Sequence, residues 1–198
     1  MGKTKKQPSK PTSVIPTPFL EPLAALQRLL ERFDNQGVII GGIAASLLGQ
    51  PRLTADLDAV ILLSVGDLPE LIKAAASEGI EARMAEAEDF ARKHRVLLLR
   101  HTDSSIDIDL SLGILPFESE MVERSQELVV GEIHVRLPSP EDLIIMKAVA
   151  HRPKDMADIQ AIASSHPDLD RSRIREWVVQ FGEALGLPGL WHEVEKLL

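Results

Sequence analysis

The stretch from Val38 to Leu63 most constrains the fold, because two short apolar runs in it flank a double glycine and a pair of aspartates. The run VIIGG predicts a short buried strand that ends in the glycines, and IAASLLGQ predicts a helix that stops near Gly49 and Pro51. The run LDAVILL is apolar apart from one aspartate, which is typical of a strand covered on both faces. A strand, a short helix and a second strand therefore follow each other closely.

The rest of the first two thirds of the chain continues this mixture of helices and strands. Apolar spacing predicts helices over 20–33, 68–79 and 118–125, strands in RVLLLRH and SIDIDLSL, and a strand pair in ELVVGEIHVRLP that turns at Gly131. The cluster Asp34-Asn35-Gln36-Gly37 predicts the end of the first helix. The acidic, alanine-rich segment 81–90 matches no element.

The chain changes character after Leu137. In Pro138-Ser139-Pro140-Glu141-Asp142, Ser139 can cap a helix, Pro140 suits its first position and acids fill its first turn. The pattern stays helical from there to the end. We therefore predict an α/β (α+β) fold, with a disordered tail at 1–17, a mixed β-sheet with flanking helices at 18–137, and a helical C-terminal subdomain at 138–198.

Composition excludes several classes of function. The 198 residues include no cysteine, which excludes disulfides, thiolate zinc sites and cysteine nucleophiles. The net charge of −8 argues against a protein that coats nucleic acid. The basic start is followed by QPSKPTSVIPTP and not by an apolar stretch, and no apolar run is long enough to span a bilayer, so we expect a cytoplasmic protein with no membrane partner.

Asp56 and Asp58 are the strongest candidates for chemistry. They lie two residues apart at the start of a predicted strand, so both side chains point to the same face. Aspartate is disfavoured in strands, and two like charges on one face repel, unless a cation lies between them. Oxygen ligands without cysteine favour Mg²⁺ or Mn²⁺. The alternative is an exposed turn at a strand end.

Gly41 and Gly42 lie where a strand meets a helix, so a phosphate could approach the backbone and the helix N-terminus closely. Paired glycines are also common in simple turns. Asp107 and Asp109 share one face of another predicted strand, and either could complete a three-carboxylate site for two metal ions roughly 4 Å apart. The same alternation is typical of a half-exposed edge strand.

Four further polar residues are candidates for binding a nucleotide. Arg52 and Thr54 are either plain loop residues or part of the nucleotide site, in which Arg52 would orient the loop or bind a phosphate. Lys147 lies among apolar residues of a helix, so it either extends to solvent or pairs with an aspartate or a phosphate. Arg152 belongs to the segment 152–158, which also contains a lysine and two aspartates. This segment either contributes to the nucleotide site or forms a solvated helix face, and its sequence is equally consistent with both.

Gly41-Gly42, thirteen residues and then Asp56-Leu57-Asp58 resemble the signature of the nucleotidyltransferase superfamily with the DNA polymerase beta-like fold. The pattern Arg52-x-Thr54 and the stretch EDLIIMKAVAHRPKDMADI resemble the branch of abortive-infection type toxins and related nucleotidyltransferases. The resemblance covers roughly residues 37–160. It differs in one place, because the family often has a serine after the first glycine, whereas the first hydroxyl here is Ser46.

The resemblance implies a reaction and a set of roles. Asp56, Asp58 and Asp109, the last favoured over Asp107, would bind Mg²⁺ or Mn²⁺; Gly41 and Gly42 would bind phosphate through backbone N–H groups; and Lys147 would face the triphosphate, with Arg152 on the same helical wall. The reaction would move a nucleoside monophosphate from a nucleoside triphosphate to a hydroxyl of RNA (perhaps a tRNA end), a protein or a small molecule. A toxin would have a cognate antitoxin protein as partner. The alternative is a non-catalytic module that binds a nucleotide or a protein partner.

Overall fold

The structure is a computed structural model that describes residues 15–198, so most of the predicted tail lies outside the described residues. Of that tail, Ile15 is buried in the core, and a 3-10 turn begins at Thr17. Residues 15–17 are therefore part of the fold. Among the described residues, no helix has both the length and the apolar character needed to cross a membrane.

The elements alternate along the chain before they become purely helical. In chain order they are α1 Leu20–Glu31, β1 Gly37–Ile40, α2 Gly41–Leu48, β2 Asp56–Ile61, α3 Leu68–Ser77, β3 Ile80–Ala82, α4 Ala87–His94, β4 Val96–His101, β5 Asp107–Leu112, α5 Pro116–Glu123, β6 Gln126–Val130, β7 Ile133–Leu137, α6 Pro140–Ala150, α7 Pro153–Ser165, α8 Arg171–Ala184 and α9 Leu190–Glu195.

Five strands form one mixed sheet in the order β1-β2-β5-β4-β3, and β6 with β7 form a separate hairpin. Only β2 and β5 run parallel; the other neighbours in the sheet are antiparallel. Helices flank the sheet, and the helical C-terminal segment follows the hairpin. The predicted fold class, a mixed sheet with flanking helices followed by a helical segment, is confirmed.

Local sequence accounts for several element boundaries. Asp34 and Asn35, with φ of 53° and 56°, adopt left-handed conformations after α1, as the predicted stop requires. The Ser139 hydroxyl accepts a hydrogen bond from the Asp142 backbone N–H at 3.2 Å, so Ser139 caps α6. The predicted helix at 118–125 begins at Pro116, because proline suits the first helical position.

Segment 81–90, which matched no element in the sequence, contains the end of β3 and the start of α4. β3 is a three-residue edge strand that is held by β4 and has two exposed residues. α4 is largely charged and buries only Ala87 and Ala91. Both elements depend on their neighbours in the fold and carry little apolar periodicity of their own.

The hydrophobic core includes residues from both sides of Leu137. Leu26 of α1, Leu57 of β2, Ile144 of α6 and Ile174 of α8 belong to one buried cluster. The proposed division into a core at 18–137 and a subdomain at 138–198 is therefore not accompanied by separate cores, and it stays a prediction that unfolding experiments can test.

Candidate active site

Four aspartates lie together at the start of two parallel strands. Asp56 pairs in register with Asp107, and Asp58 pairs with Asp109. Residues in register on neighbouring strands point to the same face, so all four side chains share one face of the sheet. Leu57, on the other face, is fully buried. The sequence predicted each pair separately, and the parallel pairing of β2 with β5 brings the two pairs together.

Asp58 is enclosed by the junction between β1 and α2. Gly41 has a φ of +67°, and a Cβ on Gly41 would lie only 1.8 Å from Oδ2 of Asp58. The backbone N–H of Gly42 donates a hydrogen bond to the Asp58 carboxylate. Glycine at position 41 thus satisfies a left-handed backbone and leaves space for the carboxylate.

The carboxyl of Asp58 lies in an unfavourable environment for a negative charge. Burial raises its pKa, and the charges of Asp56 and Asp109 raise it further. The charge of Lys147 and the hydrogen bond from Gly42 act in the opposite direction but do not outweigh these effects. A cation beside Asp58 would relieve this conflict.

The loop that leads into β2 is tied to the carboxylates and to the helical part. The Thr54 hydroxyl donates a hydrogen bond to Oδ1 of Asp56 at 3.1 Å. The Arg52 guanidinium binds Asp158 of α7 with two hydrogen bonds, from Nε to Oδ1 at 2.7 Å and from Nη2 to Oδ2 at 3.0 Å. Of the two functional roles considered for Arg52, these contacts match the orientation of the loop.

Lys147 and Arg152 belong to a buried ion-pair network. Lys147 Nζ lies 3.1 Å from Asp155 Oδ1 and 2.9 Å from Asp158 Oδ2, and Arg152 Nε lies 2.5 Å from Asp155 Oδ2. Burial alone would raise the pKa of Asp155, but hydrogen bonds from Arg152 and Lys147 lower it below its ordinary value. Three cations, including Arg52, here face two aspartates.

The interpretation of segment 152–158 as a solvated helix face is wrong for its two aspartates. The exposed fractions are 0 % for Asp155 and 5 % for Asp158. Lys147, with an exposed fraction of 4 %, has aspartates as partners, one of the two alternatives that its apolar surroundings suggested. The Lys-Asp-x-x-Asp spacing did contain a signal, since residues three apart lie on the same side of a helix.

A cavity of about 160 Å³ lies between the sheet and the helical part. Gly41 and Asp58 line it from the sheet side, and Lys147 and Arg152 line it from the helical side. Arg152 is the more accessible of the two cations, with a side chain 56 % exposed. The cavity therefore places the partly buried carboxylate of Asp58 opposite a wall that carries the cations of Lys147 and Arg152 together with Asp155.

Arg83 is a residue of the carboxylate cluster that the sequence did not reveal. Its guanidinium forms ion pairs with Asp109 and, at 2.9 Å, with Oδ2 of Asp107. Arg100 binds Oδ1 of Asp107 at 2.7 Å, and this hydrogen bond is the largest effect on the pKa of Asp107, which is lowered. Arg83 follows the short edge strand β3, so only the three-dimensional fold brings it to the aspartates.

Within residues 15–198, no three His, Cys, Asp or Glu side chains converge closely enough to form a ready-made metal site. The residues nevertheless fit a divalent cation in their chemistry. Asp56 and Asp58 present hard oxygen donors on one face, and the pKa of Asp58 is raised by burial and by the negative charges of Asp56 and Asp109. Asp109 lies in register with Asp58 and is paired with Arg83.

Comparisons with known proteins agree with this architecture. A family model described as "Nucleotidyltransferase of unknown function (DUF6036)" matches residues 20–174. No curated protein matches the chain in a sequence search. An antigenic nucleotidyltransferase-like protein from Paracoccidioides brasiliensis has a similar crystal structure, with a TM-score of 0.51, 19 % identity, and coverage of 89 % of this chain and 92 % of that one. The solution structure of the antibiotic-resistance factor ANT(2'')-Ia is also similar, with a TM-score of 0.54, 15 % identity, and coverage of 88 % and 97 %. At these identities the two structures show a shared fold.

Proposed function

The chain belongs to the nucleotidyltransferase family whose model spans residues 20–174, and we propose that it transfers a nucleoside monophosphate from a nucleoside triphosphate to a hydroxyl group in the presence of Mg²⁺ or Mn²⁺. One observation carries the proposal: the Asp58 carboxylate lies beside Asp56 and Asp109 and lines a cavity whose opposite wall carries two cations, Lys147 and Arg152, against one carboxylate, Asp155. We expect this reaction in the cytoplasm, which supplies both triphosphates and Mg²⁺.

Asp56, Asp58 and Asp109 would hold the divalent cation. When bound, such a cation neutralises charge on the phosphates and on the attacking and leaving oxygens. The chain keeps Asp56 and Asp58 oriented for this task, through the hydrogen bonds from Thr54 and from the Gly42 backbone.

The helical wall supplies positive charge for the triphosphate. Arg152 is exposed enough to contact phosphate oxygens directly, while Lys147 contributes its charge from a buried position between Asp155 and Asp158. On the other side of the cavity, the phosphates would approach the N-terminus of α2 beside the Asp58 carboxylate, which fills the space that a side chain on Gly41 would need, while Thr54 fills the corresponding space beside Gly42. Arg52 acts by holding the loop that carries Thr54.

The chemical step forms one bond and breaks one bond. The acceptor oxygen attacks the α-phosphorus, the bond from that phosphorus to the bridging oxygen breaks, and pyrophosphate leaves. In this scheme Asp109 accepts the proton of the acceptor hydroxyl. Asp109 is half-exposed, which suits a residue that must reach an incoming acceptor.

Three classes of acceptor are consistent with the proposal: RNA such as a tRNA end, a protein side chain, and a small molecule. The resemblance to abortive-infection type toxins favours RNA and implies an antitoxin as partner. The fold shared with an antibiotic-resistance factor and the net charge of −8 favour a small, cationic molecule.

The test is transfer of label from α-³²P nucleoside triphosphates to total RNA, to total protein and to a panel of hydroxylated small molecules with Mg²⁺. We expect the label to appear in one class of acceptor, and the Asp58→Asn variant to lose at least about a hundredfold of this activity. A γ-³²P label should not be transferred, because it leaves with pyrophosphate. Equal transfer by the wild type and by Asp58→Asn would contradict the proposal.

The second candidate is a non-catalytic module that binds a nucleotide or a protein. The ion pair of Arg83 with Asp109 favours it, because that contact occupies the third carboxylate. The first hydroxyl after the glycines is Ser46, which donates to the Gly42 carbonyl at 2.9 Å and so is already engaged. Thermal stabilisation by a nucleoside triphosphate that is independent of Mg²⁺, without transfer to any acceptor, would favour the module.

A further inference from the structure

Arg83 is placed to reach Asp109 by the register of the sheet. The backbone N–H of Arg83 donates to the carbonyl of Leu98 at 3.0 Å, and Leu98 of β4 pairs in register with Asp109. Asp109 pairs in turn with Asp58. These four residues therefore form one row across the sheet, in which Arg83 reaches over a single strand to the third carboxylate of the candidate site.

The ion pairs divide the four carboxylates into two halves. Arg83 binds both aspartates of β5, Asp107 and Asp109, whereas neither Asp56 nor Asp58 forms an ion pair in the part of the chain that the structure describes. In the same part of the chain, Arg83 is the only ion-pair partner of Asp109. The cation that Asp109 contacts is thus a side chain of the protein itself.

The contacts of Arg83 would allow it to release Asp109 to a divalent cation. Its buried Nε has no hydrogen-bond partner among residues 15–198, so the guanidinium is held by the two carboxylates alone. Asp107 contacts Arg83 and Arg100 and would keep Arg83 nearby if Asp109 were released. A guanidinium and a divalent cation repel each other, and an oxygen that accepts a charge-assisted hydrogen bond is a weaker metal ligand.

We propose that Arg83 competes with the divalent cation for Asp109: it binds this carboxylate in the metal-free protein and must release it before three aspartates can hold the cation. The inference rests on the proposed function, because it assumes that Asp56, Asp58 and Asp109 form the metal site. In this arrangement Arg83 sets the metal affinity, and Asp107 is a positioning residue that retains Arg83 after the exchange.

The test is calorimetric titration of the nucleotide-free, full-length chain with Mn²⁺. The Arg83→Gln variant should bind Mn²⁺ about tenfold more tightly than the wild type, because the ion no longer displaces a charge-assisted hydrogen bond. Arg100→Gln is the matched control. Arg100 carries the same charge on the same face but contacts Asp107 and not Asp109, so the affinity of this variant for Mn²⁺ should change less than about threefold. Weaker binding by Arg83→Gln, or equal tightening in both variants, would overturn the inference.

Two further variants keep the test decisive. Arg83→Lys retains the charge but cannot bridge two carboxylates in the same way, so it should tighten Mn²⁺ binding by less than Arg83→Gln and serves if the latter fails to fold. Affinity in Arg83→Lys equal to or weaker than in the wild type would count against the competition. Asp58→Asn should abolish Mn²⁺ binding; if it binds Mn²⁺ like the wild type, the proposed function fails. Loss of binding in Asp58→Asn without tightening in either Arg83 variant would contradict only the competition.

Discussion

Asp58 combines three constraints at a single residue. Its carboxylate is largely buried, it lies beside two other aspartates, and it occupies the space that any side chain at position 41 would need. The first two constraints disfavour the charged form of the Asp58 carboxyl, and the third restricts position 41 to glycine. None of them improves the packing of the core. Residues in such a position are typical of sites where stability is given up for function.

Asp58→Asn should therefore stabilise the metal-free protein at neutral pH by about 1 kcal/mol, the usual size of a favourable single substitution. Because the pKa of Asp58 is raised in the folded state, its ionisation lowers stability as the pH rises through that pKa. The difference between variant and wild type should be larger near pH 7.5 than near pH 3, a pH below the ordinary pKa of aspartate, because the raised pKa keeps the carboxyl protonated in the folded state at least as fully as in the unfolded chain. Urea unfolding in the presence of a chelator at both pH values measures it. A variant less stable than the wild type at pH 7.5 would contradict this account.

At the scale of elements, α7 fixes the entry into β2. Asp158 of α7 binds Arg52 of the loop before β2 and Lys147 of α6, so one carboxylate joins two helices to the strand that carries Asp56. The participants are distant in sequence: 106 residues separate Arg52 from Asp158. The helical C-terminal part is thus connected to the geometry of the carboxylates through buried charges.

Asp158→Asn should lower the free energy of unfolding by about 3 kcal/mol, because it leaves Arg52 and Lys147 with only part of their compensating charge in a buried place. Nucleotidyl transfer should fall as well, since the loop that orients Thr54 loses its attachment. Asp168→Asn, at an exposed position after α7, is the matched control and should change stability by less than about 0.5 kcal/mol. Similar denaturation curves for the two variants would show that the buried network contributes little.

Different parts of the site were predictable from the sequence to different extents. The alternation in Asp56-Leu57-Asp58 and in Asp107-Ile108-Asp109 was enough to place each pair of side chains on one face, because that period follows from strand geometry alone. The parallel pairing of β2 with β5 is a tertiary contact and is not written in either strand.

The contacts of Arg83 lay further beyond the reach of the sequence. Arg83 follows an edge strand of three residues and binds aspartates 24 and 26 residues later, so no local pattern indicates the contact. The solvated-face interpretation of Asp155 and Asp158 failed for a related reason. A charged helix face looks the same in sequence whether it meets solvent or a buried lysine.

At the scale of the whole molecule, aromatic packing connects the two parts of the chain that the sequence separates at Leu137. Phe117 of α5 lies with its ring centroid 5.2 Å from that of Trp177 and 5.5 Å from that of Phe181, both in α8. These edge-to-face contacts join the helix after β5 to the C-terminal helices. The same connection is made by the core, in which Leu57 and Ile144 belong to one cluster.

The chain should consequently unfold in a single transition and not as two domains. In a Trp191→Phe variant, Trp177 is the remaining tryptophan and reports on the contact between α5 and α8, while far-ultraviolet circular dichroism reports on all helices and strands. The urea midpoints from the two signals should coincide, because loss of the α8 packing exposes the core that also supports the sheet. The reciprocal Trp177→Phe variant places the reporter in α9 and should give the same midpoint. A fluorescence transition well separated from the dichroism transition would instead establish 138–198 as an independently folding subdomain. The charges that α6 and α7 contribute to the cavity would then come from a part of the protein that can detach from the carboxylates.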